Sequence, residues 1–257
     1  MLKKIKIELY LWKKWARSIV MYPRLRIHNA TYDEYWDYRH LTAETPLNSF
    51  QAQRLALALR FLEPKTVVTD IGAGNGLMLV HIGQKKELSR RIAVDISDRA
   101  LASARANGIE VVKANISDTA ELQKLPDTDY IFFFEVLEHI PNSEEVLLWA
   151  TTKAKKGVFF SVPNTGFFTY RLRLLFGKFP LQWRLSPSEH LRFWTMTDMR
   201  WWLKSIGMRG YTLLSYEGPV GLRHIWPSLF AQGLFVYIPT LGAQMPREQA
   251  DNEDKEI

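Results

Sequence analysis

Residues 67–76 read Val67-Val68-Thr69-Asp70-Ile71-Gly72-Ala73-Gly74-Asn75-Gly76. A short β-branched run enters three closely spaced glycines, and residues 75–86 then follow a helical pattern, so the stretch reads as strand, tight turn, helix. Glycines at such a junction let a ligand approach the backbone, and the amides at the start of the following helix suit a polar or anionic group. Outward from it the chain alternates. A helix is expected over residues 50–62, ended by Glu63-Pro64, with the first strand at 66–70 and the second at 91–95. Ser97 caps a helix running to residue 106, Asn107-Gly108 closes it, and strands follow at 110–113 and 130–135. Asn142, with Glu145 three residues on, opens another helix before a strand at 157–162. Apolar strands alternating with helices predict an α/β fold, a doubly wound, mostly parallel sheet covered on both faces.

The second strand ends in Asp95, 19 residues after Gly76, where a carboxylate can accept both ribose hydroxyl hydrogens of an adenosine. Both features fall at carboxyl ends of adjacent strands, where open α/β sheets bind ligands. The glycines are spaced G-x-G-x-G rather than G-x-G-x-x-G, and Asp70 stands two residues before the first. A carboxylate there repels a pyrophosphate and can hold the ammonium end of a methionine moiety. That favours S-adenosylmethionine over a nicotinamide dinucleotide.

With VVTDIGAGNG at 67–76, IAVDIS at 92–97, KANISD at 113–118, YIFFFEVLEHIPN at 130–142 and GVFFSVPN at 157–164, the chain resembles the class I S-adenosylmethionine-dependent methyltransferases over roughly residues 50–238. The resemblance implies their Rossmann-like fold. It implies that Asp70, Gly72, Ala73, Gly74 and Gly76 form the cofactor loop, that Asp95 binds the ribose, and that Ile96 and Ile116 flank the adenine. Asn115 stands where the family often has an adenine-binding acid, and its amide oxygen can still pair with the adenine amino group. Glu135 and Val136 would line the methionine end. SVPNTGFFTYRLRLLFGKFP at 161–180, HLRFWTMTDMRWWLKSIGM at 190–208 and WPSLFAQGLFVYI at 226–238 look like the MetW-like branch. The alternative function it carries is a regulatory module that binds S-adenosylmethionine beside another enzyme, and that module would bind the cofactor without turnover.

Methyl transfer asks little of a protein beyond alignment and removal of the acceptor's proton. His139 is the candidate base, because imidazole titrates near neutrality. Glu135, Glu138 and His139 share a face if the turn after the fourth strand is helical. His190 is a second catalytic candidate, near the end of an insertion at 163–194 that is expected to form a lid. The insertion holds eight aromatics (Phe167, Phe168, Tyr170, Phe176, Phe179, Trp183, Phe193 and Trp194) and basic residues including Arg171, Arg173, Lys178 and Arg184. It suits a small-molecule or glycan-linked acceptor, methylated at oxygen or nitrogen. The Glu-x-x-Glu-His pattern also resembles the metal site of some methyltransferases of ubiquinone synthesis and small-RNA ends, yet it is frequent in relatives expected to need no metal, and no metal is expected here. A capping box at Thr195 and Asp198 starts a helix running to 206, and strands at 211–216 and 234–238 close the domain.

Composition sets the rest. With 257 residues, 47% hydrophobic and 24% charged, the chain can bury one large core as a single domain over 50–240. The absence of cysteine removes disulfides, thiolate metal sites and a cysteine nucleophile. Residues 1–26 hold eight basic residues against Glu8 alone, whereas 247–257 hold two against five acids, so the middle of this +7 chain carries only +3. A core that mildly basic argues against a nucleic-acid partner. In the extension at 1–49, Leu2, Ile5, Leu9, Trp12, Ala16 and Ile19 recur at helical spacing between lysines. Residues 1–21 are therefore expected either to pack on the domain or to lie on an anionic membrane. With no stretch near the roughly 20 apolar residues of a span and no signal peptide, the expected location is cytoplasmic or membrane-peripheral. Residues 241–257 are expected to be a polar, disordered tail.

Overall fold

The computed structural model describes residues 2–22, 45–182 and 189–240. The aromatic linker at 32–38, Trp183, Arg184 and the acidic tail lie outside the described residues. The elements in chain order are α1 (Leu2–Val20), α2 (Ser49–Phe61), β1 (Val67–Ile71), α3 (Leu77–Lys85), β2 (Arg90–Asp95), α4 (Asp98–Ala106), β3 (Glu110–Lys113), α5 (Thr119–Leu122) and β4 (Thr128–Phe134). A single 3₁₀ turn, Leu137–His139, leads to α6 (Ser143–Lys153), β5 (Ala154–Pro163), α7 (Phe168–Leu175), α8 (Met196–Ser205), β6 (Thr212–Tyr216), α9 (Leu222–Ile225), α10 (Pro227–Phe230) and β7 (Gly233–Pro239).

The strands form one sheet in the order β3-β2-β1-β4-β5-β7-β6. The first five are parallel, and β7 runs antiparallel to both β5 and β6. Successive side chains of a strand point to opposite faces, and here each face has its own core. Phe132, Phe159 and Phe235 join Leu55, Ala58, Leu79, Ile82 and Leu101 on the side of α2, α3 and α4. Their neighbours Phe133, Phe160 and Val236 join Leu147, Trp149, Met199 and Leu203 on the side of α6 and α8. That two-faced burial explains why the strand sequences are apolar without alternation.

Local signals set the element ends. Asn48 and Gln51 cap α2 reciprocally, as do Thr195 and Asp198 on α8, which satisfies amides that a helix start leaves unpaired. Ser97 caps α4. Asn142 marks the start of α6 but gives it no side-chain cap. Its amide nitrogen instead donates to the Ser117 carbonyl, 3.2 Å away.

The N-terminal helix forms and docks through Leu11 and Trp15, with Trp12 of its apolar stripe reaching Phe168 at the border, 5.7 Å away. Trp15, 4% exposed, packs with Phe167 and Tyr170, and Leu11 and Phe168 lie against them. Leu9, Trp12 and Ala16 of the stripe remain exposed. Fully buried Arg173 of α7 fixes the helix end by donating to the carbonyls of Ser18, Ile19 and Met21, the last-turn acceptors that a cation satisfies well.

Candidate active site

The site lies along the carboxyl ends of β1, β2, β4 and β5. After β1, Gly72 and Gly76 have φ of 70° and 72°, a region that costs little only for glycine. A Cβ on Gly72 would also fall 2.5 Å from a methyl of Val136. Backbone conformation and close approach therefore both require glycine there, and the contact ties the loop to the segment after β4. Asp95, 7% exposed, accepts from the Gly74 amide at 2.8 Å and from the Ser97 amide at 3.0 Å. Its carboxylate joins the loop after β1 to the helix start after β2. Beside it a cavity of about 580 Å³ is lined by Ile96, Val112, Lys113, Ala114, Asn115 and Leu125, the size expected of a small-molecule site. Asn115 uses its side-chain oxygen to accept from the Ser117 amide, while Ile116 is half-buried against the core.

Asp70 is 3% exposed at the end of β1. Burial pushes its carboxyl up to about 7, opposed by Arg54 and reinforced by Asp95. Arg54 was not singled out from the sequence, although one signal marks it: it shares the α2 stripe of Ala58 and Phe61 at helical spacing. Its guanidinium is buried, donates to Ser161 Oγ at 3.0 Å, and pairs with Glu135 at 3.3 Å. It lies against the rings of Phe50 and Phe134, and its Nε has no hydrogen-bond partner among the described residues. A buried guanidinium holding an unmet donor is poised to bind a carboxylate.

The structure divides the acidic motif in two. Glu135 has φ of 60°, strain that persists only where its surroundings enforce it, and accepts from Ser161 and Tyr216. It faces Arg54, so it does not share a helical face with Glu138 and His139. Those two sit on the 3₁₀ turn and meet His190. The end of the insertion clamps this turn, with the Leu191 and Arg192 amides donating to the Glu138 carbonyl at 2.8 and 3.1 Å. Arg192 also pairs with Glu144 at 2.8 Å.

Ligand atoms of Glu138, His139 and His190 lie within 4.8 Å of one another. His139 Nδ1 is 2.6 Å from the Glu189 carbonyl, which can only accept, so this nitrogen carries the proton and Nε2 keeps its lone pair. Nε2 points toward Glu138, 3.9 Å away. The His190 ring lies edge-on to His139 at 4.6 Å, and burial, then His139, lowers its pKa to about 4. Glu138 is 1% exposed, and neither carboxylate oxygen has a hydrogen-bond partner among the described residues. Burial, then Glu135, pushes its carboxyl well above the usual range. Ionising a buried carboxyl that has no hydrogen-bond partner is costly unless something shares its charge, and a carboxylate with two imidazoles is a donor set that suits a divalent cation.

A sheet of this order, with a glycine loop after β1 and a buried acid at the end of β2, defines the class I S-adenosylmethionine-dependent methyltransferases. A methyltransferase-domain model matches residues 35–213, and the chain belongs to that family; it is an S-adenosylmethionine-dependent methyltransferase. It is 28% identical over 186 residues to the ubiquinone biosynthesis O-methyltransferase of Methylococcus capsulatus, covering 66% of this chain and 77% of that protein. The protein of the same name from Azoarcus sp. is 34% identical over 111 residues, 40% of this chain and 46% of its own. Among solved structures, a methyltransferase from Archaeoglobus fulgidus superimposes with a TM-score of 0.54 at 19% identity, covering 74% of this chain and 93% of that one.

Proposed function

We propose that this enzyme methylates a hydroxyl oxygen of a small molecule seated beside Glu138, His139 and His190. The carrying observation is the His139 ring: the Glu189 carbonyl holds Nδ1–H, which leaves Nε2 on the side of Glu138, 3.9 Å away, and His190. When bound, S-adenosylmethionine would supply the methyl group on a sulfonium, with the neutral thioether as its leaving group. Asp95 holds the ribose hydroxyls, Ile96, Ile116 and Asn115 the adenine, Asp70 the ammonium and Arg54 the carboxylate of the methionine end, with Glu135 and Val136 beside it. His139 Nε2 takes the acceptor proton as the methyl–oxygen bond forms and the methyl–sulfur bond breaks. His190 stays neutral at physiological pH and keeps a second positive charge away from that imidazole.

The oxygen acceptor is supported by the names of the Methylococcus and Azoarcus relatives, both O-methyltransferases. The test is radiolabelled methyl transfer to a panel of hydroxylated aromatics, sugars and amines. Transfer to amines alone would overturn the reading, and transfer to sugars alone would move it to the glycan-linked acceptor. The unpartnered Glu138 carboxylate favours a second reading of the same residues, in which Glu138, His139 and His190 hold Mg²⁺ or Mn²⁺ that binds the acceptor oxygen. Chelation separates the two. Activity that survives EDTA leaves His139 as the base, whereas activity lost to EDTA and restored by Mg²⁺ or Mn²⁺ makes the three residues ligands.

A further inference from the structure

We infer that α1, α7 and the α9–α10 hairpin form one face that docks onto an anionic lipid bilayer. The argument starts from α1, a helix with three sides. Leu11 and Trp15 pack on α7. A second side shows Leu9, Ala16 and Val20 to solvent, with Trp12, 40% exposed, at its border with α7, and Lys13, Lys14 and Arg17 are exposed beside them. An apolar stripe that the domain leaves uncovered, bordered by cations, is the pattern of a helix lying in a membrane interface.

The neighbouring elements extend that face. Phe168 of α7 lies 5.7 Å from Trp12 and 5.7 Å from Phe230 of α10, so ring contacts bring the three segments together. On α7, Leu174, Leu175 and Phe176 are 54, 75 and 65% exposed. On the hairpin, Ile225 and Trp226 are 80 and 54% exposed. Exposed apolar surface gathered this way marks an interaction site.

Charge chooses the occupant. Residues 9–22, 164–180 and 218–232 contain no aspartate or glutamate, while they carry Lys13, Lys14, Arg17, Arg171, Lys178 and Arg223 outside the buried Arg173. A second copy pairing through this face would set cations against cations. An anionic bilayer supplies both the negative headgroups and the apolar layer that the exposed aliphatic side chains need. The face is continuous with the site: Phe179, 63% exposed, contacts Phe193, which contacts His190.

The test is flotation of the full chain with phosphatidylcholine vesicles, with or without phosphatidylglycerol, at low and high salt. The chain should float with the anionic vesicles at low salt and detach as salt rises. Lys13→Glu with Arg17→Glu should weaken binding about tenfold or more. Leu9→Glu with Val20→Glu should abolish it, and cofactor affinity should be unchanged in both variants. The proposal fails if the wild-type chain ignores anionic vesicles at low salt, or if binding survives both double variants. It also fails if the face proves to bind a second copy, as a dimer that Leu9→Glu with Val20→Glu dissolves while vesicles have no effect, or if RNA displaces the vesicles and requires the same residues.

Discussion

With Asp70 in the proposed role, cofactor binding should couple to pH. Its carboxyl, pushed up to about 7 by burial, would have to ionise to meet the ammonium of the methionine end. Below pH 7 the free protein holds that proton, so binding has to expel it, and affinity should fall about tenfold per unit between pH 7 and 5. Asp70→Asn should flatten this slope and weaken binding at pH 8, as titration calorimetry across pH would show; a slope unchanged in the variant would remove Asp70 from this role. Asp95→Ala should cost about 1.5–3 kcal/mol of affinity through lost bonds from a charged acceptor. An unchanged affinity in a folded variant would end the ribose assignment. His139→Ala should slow transfer by roughly 10²–10⁴-fold with little change in cofactor affinity. The positions of Asp95 at the end of β2 and of His139 in the turn after β4 were legible in the sequence, because the strands that precede them are plain apolar runs. Arg54 was not, because an arginine on an amphipathic helix reads as solvated until its neighbours are known.

At the scale of elements, strand and helix ends were legible to within a few residues, because glycine and capping residues punctuate apolar runs. The arrangement around β4 was not. Sequence spacing puts Glu135, Glu138 and His139 on one face only if the turn after β4 is helical, but Glu135 adopts φ of 60° and the turn after it is 3₁₀, which swings the first acid toward Arg54. The docking face of α1 was hidden too, because it rests on Trp15 meeting Phe167, 5.8 Å away, far along the chain. Arg173 makes that docking testable. Arg173→Ala leaves the carbonyls of Ser18 and Ile19 in α1, and of Met21 just after it, without their cation, and unpaired groups of this kind cost about 1–3 kcal/mol each when buried. Amide hydrogens in α1 should then exchange faster, with cofactor affinity untouched. Unchanged exchange in α1 would show that ring packing alone holds the helix.

For the molecule as a whole, both cores share the same central strands, since Phe132 and Phe133, or Phe159 and Phe160, are successive residues buried on opposite faces. Neither face can lose its packing without stripping the strands that support the other, so residues 45–240 should unfold as one cooperative unit. The proposed cofactor site spans β1, β2 and β4 of that unit and would exist only when they are in register. S-adenosylmethionine should therefore stabilise the whole fold by mass action, by about 2.7 kcal/mol at a hundredfold excess over its Kd. For a chain of this size that corresponds to a rise in Tm of roughly 5–10 °C. Differential scanning calorimetry should show a single main transition that moves up with cofactor, and the shift should shrink in Asp95→Ala. A ligand-dependent shift confined to one of two separate transitions would mean that the two faces unfold independently and that the strands do not couple them.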